Sequence, residues 1–226
     1  MKPPPDLAAI VRVFAEVPAL AGAGALAGAT ALHHEHLENR LGRFSFDIDL
    51  QTSAEDLESV HRRLGSAPTL RLLSRLNEGL YEYEARAGRR VVRIELAKPY
   101  LRHRRGYEPS RHVPGLAVVA LADLLFAKVS AFSTRGFPRD FIDLYAVGSE
   151  RRIDWEKLLR TAARASDNDY SPAEFAARIV ESVQAIRDGG FFEELPVRKP
   201  PSPDALCGFA DTLARANSRV AQALLT

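Results

Sequence analysis

Residues 43–50 alternate strictly between polar and apolar side chains, which is the pattern of a β-strand with one buried face. The apolar face consists of Phe44, Phe46, Ile48 and Leu50. The opposite face carries Ser45, Asp47 and Asp49. Aspartates at i and i+2 have Cα atoms roughly 6.6 Å apart, so their carboxylates can converge on one divalent cation or on a pair of cations. Because aspartate is disfavoured in strands, this pair predicts a metal site, with a solvated strand face as the alternative.

A second segment, residues 92–96, repeats the alternation with a different acid. Val92, Ile94 and Leu96 are apolar, whereas Arg93 and Glu95 face the other way. If the two strands lie in one sheet with their apolar faces on the same side, Glu95 joins the two aspartates as a third metal ligand. The alternative is that Glu95 pairs with Arg93 or with another neighbour at the surface.

The remaining patterns divide the chain into a mixed first half and a helical second half. For the first half we expect a loose arm at 1–6, helices at 7–20, 30–39 and 53–65, an apolar strand at 23–27, and β structure over 69–100 with a hairpin joining 80–85 to 89–96. For the second half we expect helices at 121–132, 138–147, 155–165 and 171–189, then a proline-rich linker at 195–203 and a last helix. This order predicts an α+β fold and not a doubly wound sheet.

These segments also predict three regions along the chain. Residues 1–112 would form a catalytic sheet domain, and residues 113–194 would form a helical lobe. Residues 195–226 would form the linker and the C-terminal helix.

Composition narrows the class of protein. Of the 226 residues, 46% are hydrophobic and 27% are charged, which excludes wholesale disorder. The single cysteine, Cys207, excludes an internal disulfide framework and a cysteine-rich zinc site. No apolar run approaches roughly 18 residues and no signal-peptide core is present, so we expect a cytoplasmic protein with no membrane partner. We expect His33, His34 and His36 at the surface, because an α-helix would place them on different faces.

Two further segments predict contacts with phosphate. A turn at Gly28 and a helix start at Thr30 would offer backbone donors and a hydroxyl to an anion, although a threonine that caps a helix is the commoner explanation. Lys128 lies on the apolar stripe of its helix, where it must pair, reach solvent or hold an anion. Asp140 and Asp143 share a face of the next helix, and with Lys128 they could supply a phosphate-binding cation and an acid that orients it or acts as a base.

These motifs occur in the order seen in a known family. They are Gly28-x-Thr30-Ala31-Leu32, Arg43-x-Ser45-x-Asp47-Ile48-Asp49, Leu124-Leu125-x-x-Lys128 and Arg139-Asp140-Phe141-x-Asp143-Leu144-Tyr145. Over residues 20–190 the chain resembles the AbiEii/AbiGii (MenT-like) nucleotidyltransferase toxins, a branch of the DNA polymerase β-like nucleotidyltransferase superfamily. The resemblance implies an α+β fold with a polymerase β-like mixed sheet and flanking helices, followed by a helical lobe.

The resemblance also implies roles for individual residues. Asp47 and Asp49 would hold Mg²⁺ (or Mn²⁺) with Glu95 as the third acid, and Lys128 and Asp140 would complete the catalytic set. The nucleotide-binding residues would be Gly28, Thr30, Arg43, Ser45 and Lys128. This chain has Gly28-Ala29 where the family usually has two glycines, and it has Glu95 where the family's third acid is usually an aspartate.

The function that the resemblance implies is that of a toxin in a type IV-like toxin–antitoxin or abortive-infection system. Such a protein transfers a nucleoside monophosphate from an NTP to RNA, in studied cases to the 3′ end of tRNA, and a cognate antitoxin holds it in check. Metal-assisted in-line transfer needs little from the protein beyond positioning and charge neutralisation, which suits an acidic cluster. The alternatives are transfer to a small molecule or a protein, and a non-catalytic protein that only binds nucleotide.

Basic residues are concentrated in residues 86–112 of a chain whose overall charge is only +2. Nine lysines and arginines in this segment oppose Glu95 and Glu108, which gives a local net charge of +7, and Tyr100 and Tyr107 are interleaved. Such a segment suits an RNA backbone or a triphosphate, and a solvated basic loop is the alternative.

Overall fold

The computed structural model describes residues 7–45, 47–52, 57–77, 79–99, 106–165, 170–193 and 195–225. The chain forms two compact units. The sheet unit consists of residues 1–36 and 44–124, and the helical unit consists of residues 37–43 and 125–226. The predicted arm at 1–6, the predicted helix start at 53–56 and the basic stretch 100–105 lie outside the described residues. The predicted domain boundaries at 112 and 194 stay predictions.

A mixed seven-stranded sheet forms the centre of the sheet unit. Its strands are β1 (Ala25–Leu26), β2 (Asp47–Gln51), β3 (Leu70–Asn77), β4 (Leu80–Ala87), β5 (Arg90–Ala97), β6 (Tyr107–Pro109) and β7 (Ala117–Val119). Their order across the sheet is β3-β4-β5-β2-β1-β7-β6. Strand β2 is parallel to β5 and β1 is parallel to β7, whereas the other neighbouring pairs are antiparallel. The α+β class predicted from the sequence is therefore confirmed.

The alternating sequences of the central strands give the sheet one apolar face and one polar face. Ile48, Tyr81, Tyr83 and Ile94 are all fully buried on the apolar face. Helix α1 (Leu7–Glu16) contacts β4. Helix α3 (Leu57–Leu64) contributes His61, whose ring stacks on that of Tyr81 at 4.0 Å between centroids. Because these helices cover the apolar face, the acids of the alternating strands lie on the other side of the sheet.

The chain between β1 and β2 departs from the predicted helix at 30–39. Helix α2 (Gly28–Ala31) starts two residues earlier and continues as a π turn over Leu32–His36. The expectation of surface histidines is wrong for His33 and His36, which are buried, because a π turn spaces side chains differently from the α-helix assumed. His36 Nε2 lies 2.8 Å from the Val119 carbonyl oxygen. The buried Glu35 accepts hydrogen bonds from the Ser110 hydroxyl and from the backbone N–H of Arg111.

Two other differences concern short β elements. Strand β2 begins at Asp47, so the alternating segment is longer than the strand, and Arg43 instead forms an isolated antiparallel bridge with Val197. The sequence predicts neither β6 nor β7: β7 lies after Gly115, where the pattern indicates a helix, and β6 lies beyond the β structure predicted up to residue 100. Strands of three residues contain too few positions to establish a period of two.

The helical unit contains five helices within the part of the chain that the structure describes. They are α4 (Leu121–Arg135), of which the first four residues belong to the sheet unit, α5 (Pro138–Glu150), α6 (Trp155–Ala165), α7 (Pro172–Arg187) and α8 (Pro203–Leu225). The predicted helices are confirmed with small shifts of their ends, and the Ser171 hydroxyl accepts the backbone N–H of Glu174 at the start of α7. The core is aromatic: the rings of Phe132, Phe141, Phe175, Phe191 and Phe209 form a chain of contacts. Among the described residues, no helix has both the length and the apolarity that crossing a bilayer requires.

Candidate active site

Three carboxylates converge on the polar face of the sheet. The parallel register of β2 and β5 places Asp49 beside Glu95, and Asp47 lies two residues earlier on the same face of β2. Each side chain has an oxygen within 4.8 Å of an oxygen of the other two, and all three are half-buried. The structure therefore brings together the three acids that the sequence predicted as metal ligands.

Burial and the neighbouring acids perturb the ionisation of Glu95 in this cluster. The pKa of Glu95 is raised from 4.5 to about 7, first because burial disfavours the charged form and then because Asp47, Asp49 and Glu82 are negative neighbours. A hydrogen bond with Asp47 raises the pKa of Glu95 further. A divalent cation among these oxygens would remove the repulsion, and carboxylate oxygens are the ligands that Mg²⁺ and Mn²⁺ accept. The donor set fits such an ion.

The turn before α2 is built against the same carboxylates. Gly28 has φ +61°, and a Cβ at this position would lie 1.6 Å from Asp49 Oδ2, so only glycine fits here. The backbone N–H of Ala27 donates to the Asp49 carbonyl oxygen at 2.9 Å. The buried Thr30 hydroxyl donates to the Asp47 carbonyl oxygen at 3.1 Å. These contacts hold the turn on β2 directly beside the metal-binding candidates.

Ser45 lies two residues before the start of β2, and its hydroxyl donates a hydrogen bond to Asp47 Oδ1 at 2.7 Å. This contact fixes the orientation of the Asp47 carboxylate and leaves its other oxygen for a different partner. The alternation recognised in the sequence thus places Ser45 beside the first acid, although the regular strand has not yet begun at this residue.

The polar face continues from the acids onto β4 and β3. Glu82 pairs with Glu95 across the β4–β5 register, is almost fully buried, and accepts a hydrogen bond from the Ser74 hydroxyl at 2.7 Å. Arg93 is the register partner of Asp47, and its guanidinium lies 3.5 Å from Glu82. Sequence reasoning missed Glu82. Its signal was the alternation of residues 80–85, where Tyr81, buried on the apolar face, predicts that Glu82 lies on the polar one.

A second cluster of charges lies in the helical unit. Asp143 is fully buried, with one carboxylate oxygen 2.9 Å from Arg43 Nε and the other 2.6 Å from Lys128 Nζ. Asp140 is also fully buried and accepts two hydrogen bonds from the Arg135 guanidinium, at 2.7 and 2.8 Å, while Lys128 lies 3.5 Å away. Burial alone would lower the pKa of Lys128, but Asp143 and Asp140 outweigh it and hold that pKa above its ordinary value.

The predicted site residues therefore fall into two groups. Gly28, Thr30, Ser45, Asp47, Asp49 and Glu95 come together in the sheet unit, and Arg43, Lys128 and Asp140 come together in the helical unit with Asp143. Their roles toward nucleotide and metal stay predictions. Of the basic segment, Arg93 is described on the polar face, whereas Arg102, Arg104 and Arg105 lie outside the described residues.

Comparison with known proteins gives two findings. A family model described as "Nucleotidyl transferase AbiEii toxin, Type IV TA system" matches residues 12–212. A crystal structure from H. pylori, described as that of a candidate nucleotidyltransferase, aligns over 95% of this chain and 94% of its own with a TM-score of 0.51 at 15% sequence identity. At that identity the structural likeness concerns the fold alone. No curated protein matches the chain.

Proposed function

The chain belongs to the AbiEii family of nucleotidyl transferase toxins of type IV toxin–antitoxin systems and is a nucleotidyltransferase, and we propose that it transfers a nucleoside monophosphate from an NTP to RNA, at the 3′ end of tRNA. The observation that carries this proposal is the convergence of Asp47, Asp49 and Glu95 on one side of the sheet. The proposal includes a cytoplasmic location, where NTPs and tRNA are available, and a cognate antitoxin as protein partner.

In the proposed site, Asp47, Asp49 and Glu95 hold Mg²⁺ or Mn²⁺. The ion would supply charge neutralisation for the triphosphate and for the oxygens that exchange places at the α-phosphorus. Ser45 keeps Asp47 in position, and the turn at Gly28 keeps Asp49 in position. Because the pKa of Glu95 is raised to about 7, binding of the ion there would be coupled to release of a proton.

The reaction itself needs a nucleophile and a leaving group in line. The 3′-hydroxyl oxygen of the acceptor forms a bond to the α-phosphorus as the bond to pyrophosphate breaks, and the hydroxyl proton leaves to solvent or to a carboxylate of the cluster. We assign Gly28 and Thr30 to the turn that contacts the triphosphate. We assign Lys128 and Arg43 to nucleotide binding, and Asp140 with Lys128 to the catalytic set. In the helical unit, three cations (Arg43, Lys128 and Arg135) face two buried carboxylates.

The choice of RNA as acceptor is supported by charge. The net +7 of residues 86–112 contrasts with the net +2 of the whole chain, and Arg93 on β5 lies next to Asp47 in register. A polyanion gains from such a concentration by releasing its counterions. A small neutral acceptor would gain nothing from it.

The test incubates the full chain with each radiolabelled NTP in turn, Mg²⁺ and total tRNA. The matched variants are Asp47→Asn with Asp49→Asn, which keep the shape of the site and remove its charge, and Glu84→Gln, which removes an acid of the same face whose partner is Arg71 at 3.3 Å. We expect label on tRNA with the wild type and with Glu84→Gln. We expect a loss of at least a hundredfold with the Asp47 and Asp49 variant, since one removed charge-stabilising group costs roughly that factor.

Three other results would contradict the proposal. Label on a protein or on a small molecule, with none on RNA, would replace the acceptor. Binding of NTP without any transfer would indicate a protein that only binds nucleotide. Transfer that survives in the Asp47 and Asp49 variant would show that the carboxylate cluster is not the catalytic centre.

A further inference from the structure

An exposed phenylalanine lies between two arginines at the junction of α4 and α5 in the helical unit. Phe137 is 46% exposed, and it is the only exposed phenylalanine among the residues that the structure describes. The guanidinium carbons of Arg135 and Arg139 lie 5.3 and 5.1 Å from the centre of its ring. We call these three residues the Arg-Phe-Arg cluster. The carboxylate site does not use this cluster, and one of its three side chains, that of Arg135, also contacts a residue of the proposed function, Asp140.

The backbone holds the ring of Phe137 in place. Phe137 precedes Pro138, which restricts it to the extended conformation observed, with φ −68° and ψ 139°. Its carbonyl oxygen accepts the backbone N–H groups of Asp140 and Phe141 in the first turn of α5. On the other side, Gly136 has φ +63° and packs against the side chain of Arg178. The exposure of the ring is therefore fixed by the connection between the helices and is not the result of a free loop.

The two arginines differ in what else they contact. The guanidinium of Arg135 is oriented by its two hydrogen bonds to the buried Asp140, so little side-chain entropy remains to be lost on binding. Arg139 is exposed and has no carboxylate partner among the described residues. Arg178 adds a third guanidinium beside Gly136 and is paired with Glu181 at 2.8 Å. The cluster thus combines a half-exposed aromatic ring, the guanidinium planes over it, and one cation, Arg139, that is available to an anion.

We propose that the Arg-Phe-Arg cluster is a stacking platform for an unpaired nucleobase, with Arg139 on the phosphate next to that base. Proteins bind single-stranded nucleic acids without sequence preference through exposed aromatic rings and arginines. Every base has a π face that can stack, and every phosphodiester linkage carries a negative charge. A docking site for the apolar face of a protein would instead need several apolar neighbours, whereas this ring is flanked by two cations. The proposal deepens the proposed function, on which it rests only for the choice of RNA as the main probe.

The experiment measures binding without catalysis. The full chain is titrated in EDTA against a fluorescent, unstructured single-stranded RNA and separately against a fluorescent NTP, at two salt concentrations. The variants are Phe137→Ala, Phe137→Leu, Phe137→Trp and Arg139→Ala, with Arg187→Ala as the control for loss of one exposed arginine of the same unit. Arg135 is left intact because it is the partner of a buried aspartate, and melting temperatures confirm that each variant is folded.

We expect Phe137→Ala and Phe137→Leu to weaken RNA binding about tenfold, since stacking of one base contributes roughly 1–3 kcal/mol, and Phe137→Trp to retain it. We expect Arg139→Ala to weaken RNA binding and to reduce its salt dependence by about 0.7 in the logarithmic slope, and Arg187→Ala to change neither. A Phe137-dependent loss in the NTP titration alone would also support the platform and would assign the base to the nucleotide.

Other results would overturn the proposal. If Phe137→Leu binds RNA and NTP as the wild type does, no base stacks on this ring. If the same variant loses antitoxin binding while both titrations are unchanged, the cluster is a protein contact and the proposal is likewise refuted. The transfer assay is read separately: a chain that transfers nothing to tRNA but loses RNA affinity with Phe137→Leu would refute the proposed function and keep the platform. If instead the wild type transfers to tRNA, and Phe137→Leu and Arg139→Ala bind RNA and NTP as the wild type does, the proposed function is kept and the platform is refuted.

Discussion

Gly28→Ala is the substitution for which the structure makes the sharpest prediction. The methyl group would lie 1.6 Å from Asp49 Oδ2 and 2.6 Å from its Cγ, far inside van der Waals contact. The turn cannot move away easily, because Ala27 is hydrogen-bonded to the Asp49 carbonyl oxygen and Thr30 to the Asp47 carbonyl oxygen. The carboxylate of Asp49 must therefore rotate out of the three-acid cluster, and we expect the metal to lose that ligand.

The magnitude has two parts that a control can separate. Alanine in the left-handed region costs about 1–2 kcal/mol of folding free energy, which in a chain of this size lowers the melting temperature by roughly 2–8 °C. Gly88→Ala carries the same backbone penalty, since Gly88 has φ +58°, but its Cβ would meet only the tip of Arg12 at 3.4 Å. Displacement of Asp49 adds a loss of metal affinity of about ten- to a hundredfold in Gly28→Ala alone, the range seen when ligand positioning is disturbed.

The assay is a calorimetric titration of each variant with Mn²⁺, together with scanning calorimetry in EDTA and the transfer assay. We expect both alanine variants to melt a few degrees below the wild type and only Gly28→Ala to lose Mn²⁺ binding and transfer. Wild-type Mn²⁺ affinity in Gly28→Ala would refute the argument, because it would mean that Asp49 is not a ligand. Equal losses of affinity in both variants would refute it as well, since Gly88 does not touch the cluster.

Three further predictions concern the buried charges. In EDTA, the raised pKa of Glu95, about 7, gives a stability contribution that is fully present below pH 4.5 and is lost as the pH rises through 7. The loss is on the order of 1 kcal/mol, because solvent screens a half-exposed group. Glu95→Gln is expected to abolish this loss in melting curves from pH 5 to 8, and parallel curves for the two proteins would contradict it. Lys128→Met should cost about 3 kcal/mol in urea unfolding, because it removes one of the two cations paired with the buried Asp143 and leaves only Arg43. Asp143→Asn in the same chain should restore part of that loss, whereas additive losses would contradict the ion pair. Glu35→Ala should cost roughly 1–3 kcal/mol in urea unfolding because it removes the acceptor of the Ser110 hydroxyl, and an unchanged midpoint would show that water replaces it.

Strict periodicity determined which parts of the fold were predictable. The β4–β5 hairpin and the helices α5 to α8 follow long amphipathic patterns with clear turn or cap residues, and their positions are confirmed. Strands β6 and β7 have three residues each, and their pairing with distant segments decides their conformation. The π turn at Leu32–His36 was unpredictable for a related reason, because its buried Glu35 and His36 contact residues more than seventy positions away in the sequence.

The residues of the candidate site likewise divide into those that the sequence predicts and those that it does not. Asp47, Asp49 and Glu95 could be predicted because a strand fixes the face of every side chain, so parity alone brought the acids to one side. The partners of Lys128 were only half predictable. The sequence placed Asp140 and Asp143 on one helix face, but the closer contact is to Asp143, and the contribution of Arg43 comes from a segment 85 residues before Lys128 in the sequence. The spacing of residues along a helix predicts which of them share a face, but it does not predict which of two acids on that face a side chain from another element will contact.

The two charge clusters use the same residue types for different physical ends. In the helical unit, the buried aspartates at 140 and 143 form ion pairs with Arg43, Lys128 and Arg135, so the negative charge of the cluster is compensated within the protein. In the sheet unit, the acids at 47 and 49 raise the pKa of Glu95, and the nearby Arg93 is paired with Glu82 instead. Like charges opposite each other destabilise a sheet, so the arrangement works against folding in the absence of a cation. A conflict of this kind, confined to a few neighbouring acids of an otherwise regular sheet, is what a binding site for an external positive charge requires.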